Sequence, residues 1–241
     1  MDRLDKFLVD KNIVKSRSQA QHWIRLGAVL VNGKIITKTG FKVSAEDLIE
    51  IKAELNQVGR GALKLKGALD QFLINIQSRV VVDIGASTGG FTQVCLDRGA
   101  QKVYAIDVGR DQLAKELRDN KNVINLEGIN IRYPLEIDDK ADIAVVDLSF
   151  ISLRLTLEVI LSLLKESADI ILLFKPQFEV GREYIGKGGL VKSSAIAEKS
   201  LQEFVEYCEQ EHDLILKNQM LCPIKGKDGN QEFLLHLVFN R

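Results

Sequence analysis

Four polar residues stand where apolar sequence stops. Asp147 closes ADIAVVD, and Lys175 closes IILLFK just ahead of Pro176. Glu232 opens QEFLLHLVFN after KGKDGN, and Lys64 lies in RGALKL. A short apolar run that ends in a charge reads as a buried strand delivering that charge to the edge of a sheet. Asp147 and Lys175 end two consecutive runs, so both are expected at the edge where an open α/β sheet binds its ligands. A lysine emerging from an apolar strand is partly desolvated, which disfavours its charged form and suits it to holding or taking a proton. Taken singly, Asp147 and Glu232 also read as ordinary strand-end carboxylates, and Lys175 as a surface lysine.

A second chemical feature precedes them. VVVDIGASTGGFTQ reads as a buried strand, a glycine-rich turn and the start of a helix. Gly85 allows a close backbone approach. The G-x-G-x-x-G spacing suited to a pyrophosphate is absent, although NAD or another nucleotide stays open. Asp107 ends the next strand, where an acidic residue binds ribose hydroxyls. Together D-x-G-x-x-x-GG and YAID resemble the S-adenosylmethionine site of Rossmann-like methyltransferases. The resemblance implies S-adenosyl-L-methionine as cofactor, with contacts from Asp83, Gly85, Ala86, Ser87, Thr88, Gly89, Gly90, Asp107 and Asp147. Gly85 would lie under the methionine moiety, Asp107 on the ribose, and the residues after Glu127 near the adenine.

These residues need a scaffold, and the alternation supplies one. Apolar strands are expected at Arg79–Ile84, Lys102–Asp107, Asn122–Glu127, Asp142–Asp147 and Asp169–Lys175, most of them separated by helical stretches. That is an α/β doubly wound pattern. DLILKNQMLCPI and QEFLLHLVFN follow with no helix between them, so the sheet is expected to close with an antiparallel last strand. The amino-terminal segment differs. Leu4, Phe7 and Leu8 have helical spacing. Ser16 is expected to cap a second helix with Ala20, Trp23 and Ile24 on its apolar face and Gly27 at its end. Asn32-Gly33 predicts a hairpin within AVLVNGKIIT, and Lys42–Lys52 predicts one more strand. The expected division is a small α+β domain at 1–57, a linker at 58–61 and the α/β domain at 62–241.

The amino-terminal segment is basic. Residues 1–66 hold 13 Lys and Arg against 7 Asp and Glu, a net of +6, while the remaining 175 residues carry −6. Such an asymmetry fits a polyanionic partner, or else a solvated helix face. SRSQAQHWIRLGAVLVNGK, with RLDKFL before it, resembles the RNA-binding module known from ribosomal protein S-four. The resemblance implies that Arg3, Lys15, Arg17, Arg25 and Lys34 contact RNA phosphates, fixing position more than reading sequence.

The order Lys64, Asp147, Lys175, Glu232 resembles the catalytic tetrad of FtsJ-like RNA ribose 2'-O-methyltransferases. A ribose hydroxyl is a weak nucleophile that must be oriented and must lose its proton near the moment of attack. The resemblance gives Lys175 that task, with Asp147 holding it and Lys64 and Glu232 completing the network. Methylation of a base amine usually shows Asn/Asp-Pro-Pro-aromatic, and DLSF lacks both prolines. With GRGALKL, DIGASTGGFT, AIDVG, VVDLSFISL, FKPQFEVG, GKGG and GNQEFL, the whole chain resembles the TlyA family of ribosomal RNA 2'-O-methyltransferases, labelled hemolysin A in older usage. One departure is Gly59, where the family pattern has serine before Arg60-Gly61. The resemblance implies methylation of a cytidine ribose, and the short termini resemble the members acting on the large subunit alone. Gly181–Lys192 is expected to be a mobile flap.

Composition limits the alternatives. The chain has 241 residues, 46% hydrophobic and 27% charged, with no apolar run near membrane-spanning length, so a cytoplasmic protein is expected. Cys95, Cys208 and Cys222 are far apart, and His22, His212 and His236 lack ligand spacing. Neither a disulfide framework nor a metal site is suggested. A hemolysin-like membrane-active protein would need an inserting segment, and a non-catalytic ribosome-binding factor would be expected to show a broken tetrad.

Overall fold

The computed structural model describes all residues except 1, 12, 15, 16, 26, 52–58, 225, 227, 228, 240 and 241. It divides into two compact units, Met1–Gln57 and Val58–Arg241. In the first, β1 (Asp2–Arg3) leads into α1 (Leu4–Asp10) and α2 (Arg17–Arg25). Then come β2 (Val29–Val31), β3 (Lys34–Ile36), β4 (Lys42–Val43) and β5 (Ile49–Ile51). β2 pairs antiparallel with both β3 and β5, and β1 pairs with β4. Leu4, Leu8, Ala20, Ile24, Val29 and Val43 are buried. Asn32 and Gly33 both take positive φ (51° and 74°), as the tight hairpin turn requires. The single strand expected over Lys42–Lys52 is two strands. Asp47 accepts the Ser44 amide (2.7 Å), and that turn breaks the run. The Ser16 cap falls outside the described residues.

The second unit opens with α3 (Gly59–Phe72). Gly59, Arg60 and Gly61, expected within the linker at 58–61, are therefore helical. An added Cβ on Gly61 would lie 3.6 Å from the Phe91 ring and 3.9 Å from Asp147 Oδ2. Next come β6 (Val80–Ile84), α4 (Gly90–Asp97), β7 (Lys102–Asp107), α5 (Lys115–Arg118), β8 (Val123–Glu127), β9 (Ala141–Val146), α6 (Leu157–Ser162), β10 (Leu164–Phe174), α7 (Ser194–His212), β11 (Leu214–Leu221) and β12 (Phe233–Phe239). The sheet order is β11-β12-β10-β9-β6-β7-β8, with β12 antiparallel to both neighbours and the β10-β9-β6-β7-β8 pairs parallel. This is the mostly parallel sheet with an antiparallel last strand that the sequence implies.

Strand pleating sorts side chains between the two faces. Val81, Ile143, Val145, Ile171, Leu173 and Leu234 pack with Leu65 and Leu69 of α3 and Phe91 of α4. Val82, Ile84, Ala144, Val146, Leu172 and Leu235 face the other way, in one cluster with Ile160 of α6 and Phe204 of α7. The chain leaves β6 in one direction for β7 and β8, then returns to β9 on the other side, so the crevice between the ends of β6 and β9 is the topological switch point.

Candidate active site

The two-residue period places the four polar residues together. Asp147 is two residues past Val145, Lys175 two past Leu173, and Glu232 two before Leu234, so all three continue the face covered by α3. Lys64 faces them from α3, among Ala62, Leu65 and Ala68. The result is two ion pairs. Lys175 Nζ lies 2.5 Å from Asp147 Oδ1, and Lys64 Nζ lies 2.5 Å from Glu232 Oε2. Lys64, Lys175 and Glu232 are buried, while Asp147 is half-buried at the pocket wall. Buried charges persist where each has a partner of opposite sign and good geometry, as here. Lys175 donates a further hydrogen bond to Ser149 Oγ (2.7 Å).

Beside this cluster a pocket of about 530 Å³ opens at the ends of β6, β7 and β9. Gly85, Ser87, Asp107 and Asp147 line it; Asp83, Ala86, Thr88, Gly89 and Gly90 do not. Asp83 shares the α3/α4 face and is fully buried beneath Thr92, whose hydroxyl donates to Asp83 Oδ2 (2.5 Å), while Oδ1 has no partner. Burial pushes the Asp83 carboxyl up to about 7. Gly89 is required for packing: φ is +97°, and a Cβ would meet the Leu117 side chain at 2.1 Å. Gly85 has φ +87°, and its Cβ would fall 2.4 Å from the Asp147 carbonyl oxygen. Its glycine therefore lets the β6 and β9 loops touch, as well as opening the pocket floor.

The pocket suits an adenosyl group. Asp107 accepts the amides of Ser87 at Oδ2 (2.8 Å) and Gly109 at Oδ1 (2.7 Å), which fixes its carboxylate and leaves lone pairs for a ribose diol. Ile106 and Val108 provide apolar walls, together with Ile129 and Ile131 from the segment after Glu127 that was expected near the adenine. Glu127 itself is a brace. The Asn125 side chain, followed by the Leu113 and Gln112 amides, holds its carboxyl down to about 2 and fixes the segment carrying Gln112.

Among the pocket residues that the sequence reading did not single out are Ser149 and Phe150, the latter 90% exposed. Phe150 has φ +65° and lies 5.2 Å from the Phe178 ring. Their position in DLSF, Ser149 next to the aromatic and Phe150 as the aromatic itself, was the available signal. The Gly181–Lys192 segment, expected as a mobile flap, folds back on itself and contacts Asn230. An Ile185–Val191 bridge closes it, and the buried Asn230 side chain accepts the Val191 amide and donates to the Gly189 carbonyl (both 2.9 Å).

In the first unit, Arg3 and Arg17 converge on the buried Asp5, which also accepts from Gln21. Lys34 is exposed on β3. Lys15 and the Arg25 side chain lie outside the described residues. The three cysteines are buried and free, and no group of potential metal ligands occurs among the described residues. No helix among them is long and apolar enough to cross a membrane.

A Rossmann-like sheet with an adenosyl-sized pocket at its switch point is the architecture of a nucleotide-cofactor transferase, and a separate small unit precedes it in the chain. The FtsJ-like methyltransferase family matches residues 57–239, and the S4 domain matches residues 2–49. The chain belongs to the TlyA family of FtsJ-like methyltransferases. It is 39% identical to the 16S/23S rRNA (cytidine-2'-O)-methyltransferase TlyA of Mycobacterium tuberculosis, covering 98% of this chain and 89% of that protein. It is 37% identical to the 23S rRNA (cytidine-2'-O)-methyltransferase TlyA of Campylobacter jejuni, covering 97% and 98%. A solved structure from Streptococcus thermophilus, described provisionally as a hemolysin, is 38% identical with a TM-score of 0.77 over 99% of this chain and 88% of that one.

Proposed function

We propose that this chain transfers a methyl group to the 2'-hydroxyl of a cytidine in ribosomal RNA. The observation that carries the reading is Lys175, buried and paired to Asp147 on the wall of the adenosyl-sized pocket and hydrogen-bonded to Ser149, which also lines it. S-adenosyl-L-methionine, when bound there, supplies an electrophilic methyl group. Asp107 would hold the cofactor ribose, and the Gly85 turn would carry its methionine end. Lys175 orients the incoming hydroxyl and takes its proton; Asp147, itself on the pocket wall, holds the Lys175 amine. Lys64 and Glu232 neutralise each other against that face and hold α3 to β12 beside the reacting groups. Phe150, exposed on the rim, offers a flat face on which a base turned out of its helix would stack.

Arg3, Arg17, Arg25, Lys15 and Lys34 are the proposed phosphate contacts of the amino-terminal unit. Both relatives named for their activity include 23S RNA, so large-subunit RNA is the proposed substrate, encountered in the cytoplasm. The test is incubation with methyl-labelled cofactor and separated ribosomal subunits lacking the modification, the label then being located by nuclease protection and mass spectrometry. Label on a cytidine ribose of the large subunit is the expected result. Label on a base amine, or on neither subunit with cofactor binding intact, overturns the reading.

A further inference from the structure

The loop that follows β9 carries a group the tetrad leaves out. Ser149 lies two residues beyond Asp147, at the second proline position of the base-amine pattern, and lines the pocket. The loop is held from both ends. The Asp147 amide donates to the Ile84 carbonyl (2.9 Å). Beyond Phe150, the Ser152 hydroxyl and Leu153 amide both donate to Glu179, each at 2.7 Å, and Glu179 belongs to the segment just after Lys175. Phe150 adopts left-handed φ and packs on Phe178 of that same segment. A non-glycine residue held at positive φ persists only where its surroundings over-determine it. Ser149 is thus placed by contacts between the two loops that carry Asp147 and Lys175.

The amine of Lys175 has Asp147 Oδ1 at 2.5 Å and Ser149 Oγ at 2.7 Å. To act as a proton acceptor the Lys175 ammonium must first release one proton, and the neutral amine so formed has two N–H donors and one lone pair. With Asp147 and Ser149 as its two acceptors, both donors are engaged and rotation about the Cε–Nζ bond is stopped. The lone pair then occupies the remaining tetrahedral position. Asp147 alone would leave the amine free to turn about a single hydrogen bond.

We propose that Ser149 is a positioning residue for Lys175, its hydroxyl fixing the amine so that the lone pair meets the proton of the incoming ribose hydroxyl. In that step the O–H bond breaks with its electron pair left on the ribose oxygen, and the proton joins Nζ to give the ammonium. The proposal rests on the reading of Lys175 as the proton acceptor.

The test compares wild type, Ser149→Ala, Ser149→Thr and Lys175→Ala in methyl transfer to large ribosomal subunits lacking the modification, with cofactor affinity measured separately. Ser149→Ala is expected to lower kcat by about tenfold or more, below the full loss of a general base. KM for the subunit and Kd for the cofactor are expected to stay within about twofold, the pattern of an interaction used in the transition state. Ser149→Thr, which keeps the hydroxyl, is expected to recover most of kcat. If Lys175→Ala is inactive and Ser149→Ala keeps full kcat, the proposal falls and the reading of Lys175 stands. If Ser149→Ala acts only through cofactor Kd, Ser149 is a pocket wall and the proposal again falls. If Lys175→Ala stays active, the reading of Lys175 falls and takes the proposal with it.

Discussion

Two charged clusters in this molecule are built in opposite ways. In the amino-terminal unit the carboxylate is inside: the Asp5 side chain is 0% exposed, while its partners Arg3 and Arg17 are 43% and 57% exposed. In the methyltransferase unit the cation is inside: the Lys175 side chain is 9% exposed against 21% for Asp147. A buried carboxylate with four donors is a fixed post. The hydrogen bonds from Arg3, Gln21 and Arg17 outweigh its burial and hold its carboxyl well below the usual range. The two guanidinium groups it holds stay largely exposed, where phosphates would be met. A buried lysine beside a pocket has no such outlet, and its partners govern which way its amine turns. The first arrangement suits holding a polyanion, the second suits moving one proton.

The strongest way to break this contrast is Lys175→Ala. Methyl incorporation is expected to fall by about 10³-fold or more, while cofactor Kd by calorimetry and subunit binding stay near wild type. Retained incorporation would mean that the inward lysine does no chemistry. Lys64→Ala tests the second inward cation. It leaves Glu232 buried without a partner and is expected to cost about 3–5 kcal/mol in urea unfolding. The pair Lys64→Met with Glu232→Leu is expected to cost less than either change alone, and a larger loss in the double variant would contradict the unpaired-charge explanation.

A third test uses pH. Asp83 is raised by burial to about 7 in the fold and titrates near 3.9 when unfolded. Its contribution to stability is therefore fully present below the unfolded value and is lost as pH rises through the folded value. Between pH 5 and 8 that loss is about 2–3 kcal/mol. Asp83→Asn is expected to flatten this part of the pH–stability curve, measured by chemical denaturation. An unchanged slope would mean that Asp83 stays ionised.

Two smaller effects sharpen the outward side. Phe150→Ala is expected to weaken subunit binding by about 1–2 kcal/mol, read as KM, with a smaller loss of kcat because the Phe150–Phe178 contact helps to place Ser149. Lys34→Ala removes one exposed charge and is expected to reduce the salt dependence of RNA binding by about one counterion. A loss of kcat from Lys34→Ala would blur the division between a holding unit and a reacting unit.

Much of the site is legible in the chain. Asp147, Lys175 and Glu232 follow from apolar runs that end in a charge, because a strand buried along its length has only its end to offer to water. Asp107 follows in the same way, and the Asn32-Gly33 turn from its local φ requirement. Asp83, Gly89 and Gly90 are legible as part of a motif but not in their roles. The motif reading counts all of them as cofactor contacts, whereas the fold buries Asp83 under Thr92 and packs Gly89 against Leu117. Gly61, read as linker, is helical because α3 begins at Gly59.

The sequence by itself determined the order of strands and helices, the charged ends of the strands, the glycine turn and the basic amino-terminal segment. Each of these is set by local periodicity or local backbone freedom. Only the tertiary structure decided which lysine pairs with which carboxylate. Lys64 meets Glu232 across 168 positions of sequence, and Lys175 meets Asp147 because β10 lies beside β9. It also decided that Ser149 reaches the Lys175 amine. Such pairings depend on strand order and on which face a helix covers, and no local pattern of residues carries that information.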